Sequence, residues 1–248
     1  MNSLSFNSVN LSTYGLIVNQ SGVNSETLKT QSLQLKDKSY GANSDREPKI
    51  IEPLVSIHGS SKEDIKDKID AVKRILDELT DKELVFDRLP DRYFLAKKVR
   101  FDPGSFRGPY VWEGRIRFEC NDPFGYGVTE VASVHAIGAD PTTVTETTVG
   151  SADIWPVYLI TATAALGAVI VLLDNLNTDE QLRWTGSLAN TNELEINTVT
   201  WHVTKEGVAS MATVTGQFPI LKPSVANSIR VTGVSSATLT ITYRDRFL

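Results

Sequence analysis

Histidine and cysteine, the side chains most often used for metal binding and nucleophilic catalysis, are scarce in this chain. The three histidines are His58, His135 and His202, and the one cysteine is Cys120. None of them has another histidine or cysteine at the spacing of a metal-binding motif. A single cysteine excludes an intrachain disulfide and a multi-cysteine metal site. We therefore expect surface or structural roles for the histidines, with no catalytic residue, no metal site and no cofactor.

Two pairs of acidic residues have the residue type that glycoside hydrolysis requires. Glu193 and Glu195 are two positions apart on a predicted strand and share one face, and Asp179 and Glu180 are adjacent in a polar turn. A glycosidase places two carboxylates at a set separation across a sugar. Nothing in the sequence connects either pair to a cleft, so we interpret both pairs as solvated surface charge.

Four tryptophans could stack on a sugar ring if one of them were exposed. Trp184 follows the polar stretch 179–183 and is the one for which we predict partial exposure. Trp112 and Trp201 fall on the apolar faces of predicted strands, and Trp155 begins an apolar strand. Core packing is our preferred interpretation for all four, with Trp184 as the one candidate carbohydrate contact.

Length and composition are those of a globular chain without a surplus of basic residues. The 248 residues are enough for one large domain or two ordinary ones. Hydrophobic residues make up 41% and charged residues 22%, which indicates a folded protein. The formal charge of −5 argues against a nucleic-acid partner, because neutralising phosphates requires excess Lys and Arg. Residues 1–10 lack the basic start and apolar core of a signal peptide.

One uncharged run of 20 residues, Ile154–Leu173, is long enough in principle to span a bilayer. Pro156 lies near its start, Gly167 lies in its middle, and no basic residue flanks it as an anchor. We therefore predict no membrane insertion. Two buried strands joined by a turn at residues 165–167 fit better: Val157–Thr163 and Ala168–Leu173.

Composition changes near residue 127, which predicts two domains, 1–127 and 128–248. Residues 1–127 hold 19 basic and 19 acidic side chains, whereas residues 128–248 hold 6 and 11 and carry the whole net charge of −5. Threonine rises from 4 residues in the first part to 20 in the second. Because Thr favours strands over helix interiors, the second part is predicted to be all β, and the first to be β with one helix.

The predicted helix covers residues 61–79 approximately. Ser60 or Ser61 can cap its start, with Glu63 or Asp64 three residues further on. Apolar residues then recur at spacings of three and four along one stripe: Ile65, Ile69, Val72, Leu76 and Leu79. The charged residues between them are expected to form a solvated face.

Alternating patterns predict the strands on either side of the domain boundary. In the first part, Tyr110, Trp112, Ile116, Phe118 and Cys120 share one face, which makes Cys120 an inert core thiol. A second pattern there alternates Tyr93, Leu95, Val99 and Phe101 with charged residues. In the second part, Val199, Trp201 and Val203 alternate with polar residues, and a phase change near Asn197 requires a bulge or turn. Such short strands, with Gly, Asn and Ser between them, predict a β-sandwich.

Four motifs stand in a characteristic order along the chain: Ser5–Asn10 with Tyr14-Gly15, Leu84–Ala96, Phe118–Tyr126, and Gly216–Pro223 with Asn227 and Ile229. Within them are the segment Pro-Asp-Arg-Tyr-Phe, the strand end F-x-C-x-D-P-F-x-Y and the turn G-x-F-P-x-L-x-P. In this order, and with the capped helix between the first two, they resemble the distal tail proteins of long, flexible-tailed bacteriophages, the siphovirus tail component family. The resemblance covers nearly the whole chain.

The resemblance implies a mainly β fold with an α+β first part: an N-terminal split-barrel-like domain with one helix, followed by a galectin-like β-sandwich. It implies a homohexameric ring without catalysis that joins the tail tube to the tail-tip and host-adsorption apparatus. The implied partners are other copies of the chain, the tail tube protein, and a tail-associated hub or fibre protein. The implied location is the virion tail tip, after assembly in the host cytoplasm. Ser39–Pro48 is the nearest candidate for the family's mobile loop.

Two alternatives come from other functional classes. A β-sandwich with an exposed Trp184 could be a carbohydrate-binding protein that aids attachment to the host surface. This chain has no room for the inserted carbohydrate-binding module that some family members carry. A glycoside hydrolase would use Glu193 and Glu195.

Overall fold

The computed structural model describes residues 2–22 and 48–248. The chain divides into two compact units, one formed by residues 1–128 with Leu248 and the other by Thr129–Phe247. Of the candidate loop Ser39–Pro48, residues 39–47 lie outside the described residues.

The described part of the first unit contains ten strands and one α-helix. The strands are β1 (Leu4–Phe6), β2 (Val9–Asn10), β3 (Leu16–Gln20), β4 (Lys49–Ile51), β5 (Leu54–His58), β6 (Lys82–Phe86), β7 (Leu89–Phe101), β8 (Ser105–Phe106), β9 (Val111–Cys120) and β10 (Gly125–Gly127). The helix, α1 (Lys62–Leu76), follows β5, and a short 3-10 helix (Leu11–Tyr14) precedes β3.

The strands of this unit pair in the order β2-β1-β6-β7-β9-β5-β3 and form a curled, half-barrel sheet. Strands β4 and β8 also pair with β9, and β10 pairs with β7. One apolar core fills the concave side and includes Phe6, Leu84, Phe118 and the buried face of α1. The longest strands, β7 and β9, lie side by side in the centre of this order.

Helix α1 begins where the sequence predicts and ends early. The Ser61 hydroxyl accepts a hydrogen bond from the Asp64 backbone N–H at 3.2 Å, which caps the first turn. The predicted end at residue 79 is wrong, because the helix stops at Leu76 and the Glu78 N–H turns back to the Leu76 carbonyl at 2.9 Å. Leu79, predicted to continue the apolar stripe, is instead 98% exposed.

The structure confirms the pattern of β9 only from Trp112 to Cys120, where every second residue is buried. Tyr110, predicted on the same buried face, lies before the strand and is 58% exposed. On β7, however, the buried residues are Phe94 and Ala96, which belong to the opposite parity from Tyr93 and Leu95. A register shift between Lys98 and Arg100 changes the phase of the strand. The apolar alternation therefore identified the wrong face at Tyr93 and Leu95, before the bulge, and the right face at Phe101, after the bulge, which packs against the core.

The second unit contains twelve strands, most of them arranged in two sheets. The strands are β11 (Val131–Ile137), β12 (Thr142–Thr147), β13 (Val157–Ala162), β14 (Ala168–Asn175), β15 (Glu180–Ser187), β16 (Glu193–Asn197), β17 (His202–Lys205), β18 (Val208–Ala209), β19 (Val214–Gly216), β20 (Ala226–Thr232), β21 (Ala237–Tyr243) and β22 (Arg246–Phe247). One sheet has the order β11-β21-β13-β16-β17-β18, and the other has the order β12-β20-β14-β15-β19.

The inner faces of these two sheets form the core of a β-sandwich. Residues 154–173 do not form a helix: β13 and β14 take up most of this run, as predicted, and they lie in different sheets. Among the residues described, no helix is both long enough and apolar enough to cross a membrane. The expected fold class, mainly β with one helix in the first part and a β-sandwich in the second, is confirmed.

The predicted strand through Val199 and Trp201 is wrong. These residues lie in the turn between β16 and β17, where Asn197 is paired with His202. The Asn197 side-chain oxygen accepts hydrogen bonds from the backbone N–H groups of Val199 and Thr200, both at 3.1 Å, and holds the turn. The phase change expected near Asn197 is therefore this turn.

Candidate functional site

The histidines are held separately in the structure. The His58 Nε2 lies 3.2 Å from the Ser56 hydroxyl, and the His135 Nε2 lies 2.6 Å from the Glu146 carboxylate. His202 is exposed on β17. Across residues 2–22 and 48–248, no three His, Cys, Asp or Glu side chains are grouped so that they could hold a metal ion.

The Cys120 thiol is buried in the core of the first unit. Burial raises the pKa of this thiol to about 12, because a thiolate would lose its hydration there. A nucleophilic cysteine needs a lowered pKa and access to solvent. The structure therefore confirms the prediction of an inert core thiol.

The acidic pairs serve the local structure of the second unit. Glu195 accepts a hydrogen bond from the Asn197 side chain at 3.4 Å on the outer face of β16. Glu180 accepts hydrogen bonds from the Ile220 N–H at 2.9 Å and the Thr178 hydroxyl at 2.8 Å. Neither acidic pair lines the open depression of about 380 Å³, which belongs to the first unit.

The prediction that Trp184 is partly exposed is wrong. Trp184 is only 1% exposed in the sandwich core, and its indole N–H donates to the Ser210 hydroxyl at 2.9 Å. A Cβ on Gly186 would lie 2.3 Å from the indole ring, so the neighbouring glycine is required for the fit.

The exposed tryptophan is Trp201, at 46%, with its ring edge-on to Phe218. Strand alternation had placed Trp201 on the inward face. The alternation does not hold there, because Trp201 lies in a turn and has a positive φ of 55°.

A buried polar cluster connects the two sheets of the sandwich. Glu146, on β12, is 5% exposed and accepts from the Ser133 hydroxyl of β11 at 3.0 Å as well as contacting His135. Nearby, burial and the Glu146 charge raise the pKa of the Tyr243 hydroxyl to about 12. The Tyr243 hydroxyl donates to the Thr147 carbonyl at 3.3 Å. This cluster is enclosed and stabilises the fold.

The first unit carries an open depression of about 380 Å³ on its surface. Arg100, Arg107 and Arg115 line it beside Leu54 and the turn at Gly104. Arg100 pairs with Asp102 at 2.6 Å, and Arg107 pairs with Glu113 at 2.9 Å. Sequence analysis did not single out these arginines as a group. The signal that could have identified them was three arginines on wet positions of adjacent strands, Arg100, Arg115 and Arg117.

Comparison with known proteins identifies both units. A family model described as a phage tail protein RIFT-related domain matches residues 1–120. A second, described as the C-terminal domain of the siphovirus-type tail component, matches residues 149–247. Together the two models account for most of the chain and correspond to its two compact units.

Solved structures agree with this assignment at the level of the fold. The crystal structure of the SPP1 Dit protein, described as a paradigm of the hub adsorption apparatus in phages that infect Gram-positive bacteria, aligns with a TM-score of 0.78 at 17% identity. The alignment covers 100% of both chains. A chain of the phage P2 baseplate in its activated conformation with Ca aligns at a TM-score of only 0.41 and 8% identity, over 98% of each chain. A search of curated proteins found no match.

The two family models leave residues 121–148 and Leu248 unmatched, and the model described as a C-terminal domain matches the C-terminal part of this chain. Three of the four motifs that suggested the resemblance lie within the matched segments, and the remaining one, Phe118–Tyr126, begins in the first of them. The chain therefore belongs to the siphovirus tail component family, and it is a structural component of a phage tail.

Proposed function

We propose that this tail component is the distal tail hub, a ring of six copies that joins the tail tube to the host-adsorption apparatus. The observation that carries the proposal is the end-to-end agreement of the fold with a hub protein, at a TM-score of 0.78 over both complete chains. The two matched family domains, in the same order, support it independently.

The charge distribution supports a ring-forming role for the first unit. A closed ring of identical subunits repeats one heterologous contact, so each copy must present two different, complementary surfaces. A unit with equal numbers of basic and acidic residues can supply both surfaces, and residues 1–127 hold 19 of each. The second unit carries the whole charge of −5, which would repel acidic surfaces and so restricts the partners that it can contact.

The proposed role requires no catalysis. The three groups most suited to chemistry have structural surroundings. The Cys120 thiol is protonated and buried, Glu180 holds a turn, and Glu195 lies on an open strand face. Trp184 is enclosed, which leaves the carbohydrate-binding alternative without the residue that motivated it. The buried free thiol is compatible with assembly in a reducing host cytoplasm.

Particle imaging tests the proposal. We expect phage particles in which this chain carries a visible tag to show the tag at the distal end of the tail. A nonsense mutation in the reading frame should give heads and unattached tail parts without adsorption-competent tips. Label along the whole tube, or normal tips in the absence of the protein, would contradict a distal hub.

A further inference from the structure

Four arginines form a basic surface on the wet face of the sheet in the first unit. We call it the arginine patch, and it comprises Arg100, Arg107, Arg115 and Arg117 with the acidic partners Asp102 and Glu113. Four guanidinium groups and two carboxylates leave the patch with a net charge of +2. The described residues provide no acidic partner for Arg115 or Arg117.

Two of these arginines are direct neighbours across strands. Arg100 on β7 lies opposite Arg117 on β9. Like charges directly opposite each other on one sheet face are destabilising. The isolated chain therefore carries a repulsion that carboxylates from outside would relieve.

The open depression lies within the patch. Leu54 and Pro103 line it together with Arg100 and Arg115. The backbone of Gly104 has a φ of 57°, and a Cβ there would lie 2.3 Å from the Glu113 carbonyl oxygen. Glycine at this turn therefore keeps the hairpin closely packed beside the depression, whose lining combines apolar and charged side chains.

A complementary feature lies just after helix α1. Leu79 is 98% exposed, the highest exposure of any large apolar side chain in the described structure. We call it and its acidic neighbours the Leu79 ridge: Asp77, Glu78, Leu79 and Asp81. Lys98 pairs with Asp77 at 3.1 Å and Lys82 lies 3.9 Å from Glu78, which leaves the three carboxylates with a net charge of −1.

The ridge and the patch lie on opposite faces of the sheet. Lys98, which holds Asp77, is paired in register with the buried Phe118, so it points to the face that α1 covers. Arg115 and Arg117 occupy the alternate positions of β9 and point to the wet face. One copy therefore cannot bring its own ridge to its own patch, whereas a neighbouring copy can.

We propose that the Leu79 ridge of one copy docks on the arginine patch of a second copy, with Leu79 entering the depression. The occupant is a second copy because the same unit holds both halves, matched as knob and depression and as charges of −1 and +2. Ridge and patch are different surfaces, so the contact is heterologous and repeats around a ring. This inference rests on the proposed ring and assigns its contact.

Burial of Leu79 would supply most of the affinity, and the ion pairs would set the register. Transfer of a leucine side chain from water is favourable, whereas exposed ion pairs contribute little and are screened by salt. We therefore expect Leu79→Asp to weaken self-association at least a hundredfold, and Arg115→Glu with Arg117→Glu at least tenfold. Higher salt should weaken the wild-type contact only modestly.

Native mass measurement of the full chain tests the contact. The matched controls are Val134→Asp, which places an acid at a site 65% exposed, and Lys66→Glu with Arg183→Glu, which reverses two exposed charges elsewhere. We expect both controls to assemble like the wild type, and Leu79→Asp and the double arginine variant each to remain monomeric. Thermal unfolding of all variants should match the wild type, because every changed side chain is exposed.

Mixing the two defective variants gives the most specific outcome. The Leu79→Asp copy keeps an intact patch and the double arginine variant keeps an intact ridge, so together they have one working contact. A 1:1 dimer that grows no further supports the inference. Assembly of both variants like their controls would overturn the contact and leave the ring standing. A wild-type chain that stays monomeric at the highest concentration would instead contradict the proposed ring, and the contact with it.

Discussion

The two units of this chain use polar residues in opposite ways. Within the described residues, the first unit buries only Ser3 and Ser56 among its polar side chains. The second buries eight: Glu146, Thr148, Asp174, Asn175, Thr198, Asn227, Asp245 and Arg246. The second unit therefore depends on internal hydrogen bonds, whereas the first keeps its charges at the surface.

This difference indicates that polar residues stabilise the fold of the second unit, whereas in the first unit they are available for assembly. Buried polar groups that hydrogen-bond to one another favour one defined arrangement of the loops in the sandwich. Surface charges contribute little to the stability of the unit that carries them, and they remain available to partners. We therefore expect substitutions of polar residues to unfold the second unit and to alter assembly through the first.

The largest expected effect is on the core of the second unit. Trp184→Ala should lower the free energy of unfolding by about 4 kcal/mol, because it removes a buried indole and leaves a cavity. Trp201→Ala, at an exposed turn, should cost about 1 kcal/mol or less. Denaturant titration followed by circular dichroism measures both values. Equal losses would contradict the assignment of Trp184 to the core.

Asn227 tests the polar network directly. Its side chain accepts a hydrogen bond from the Lys222 N–H at 2.7 Å and donates to the carbonyls of Lys222 at 3.0 Å and Val225 at 3.2 Å. Asn227→Ala leaves these backbone groups unsatisfied, so we expect a loss of about 3 kcal/mol. The exposed Asn190→Ala should change the free energy of unfolding by about 0.5 kcal/mol or less. A similar small change for both would remove the contrast between the units.

The first unit should protect its thiol. With a pKa raised to about 12 by burial, Cys120 is almost entirely protonated at pH 8 and is shielded from solvent. We expect a thiol reagent to label the native protein at least a hundredfold more slowly than the unfolded chain. The labelling rate should rise with denaturant in parallel with unfolding of the first unit. Rapid labelling of native protein would contradict the buried position.

The smallest effect concerns the start of α1. The Ser60 backbone N–H at 2.7 Å, and then Lys68 at 3.0 Å, lower the pKa of Asp64 below its usual value of 3.8. The ionised carboxylate therefore stabilises the fold above pH 3.8, and this contribution disappears as the pH falls through the lowered pKa. Asp64→Asn should lower Tm slightly at pH 7 and have less effect near pH 3. Asp67→Asn, at an exposed position of the same helix, is the control and should leave Tm at pH 7 close to that of the wild type.

Local sequence patterns correctly predicted those elements that depend only on the residues within them. The cap at Ser61, the stripe from Ile65 to Leu76 and the alternation of β9 follow from spacing, and the structure confirms them. The end of α1 could not be predicted this way, because Leu79 continues the spacing although the backbone has already turned. A spacing pattern assumes that each apolar residue in it is buried, so it cannot identify an exposed one such as Leu79.

Tertiary packing decided the positions that sequence analysis assigned wrongly. Trp184 follows a polar stretch, yet it lies on the inward parity of β15 and is covered by Ser210 from a distant segment. Trp201 has the apolar parity, but a turn held by Asn197 brings it to the surface. In the arginine patch, Arg100 of β7 lies beside Arg117 of β9, 17 positions further along the chain, so only the register of β7 against β9 brings them together.

The mass of the purified full-length protein under native conditions tests the central claim most directly. The proposed hub predicts a ring of six copies, with a mass six times that of the 27.3 kDa chain and a population that grows with concentration. A single species at the mass of one chain, at every concentration up to the limit of solubility, would contradict the account.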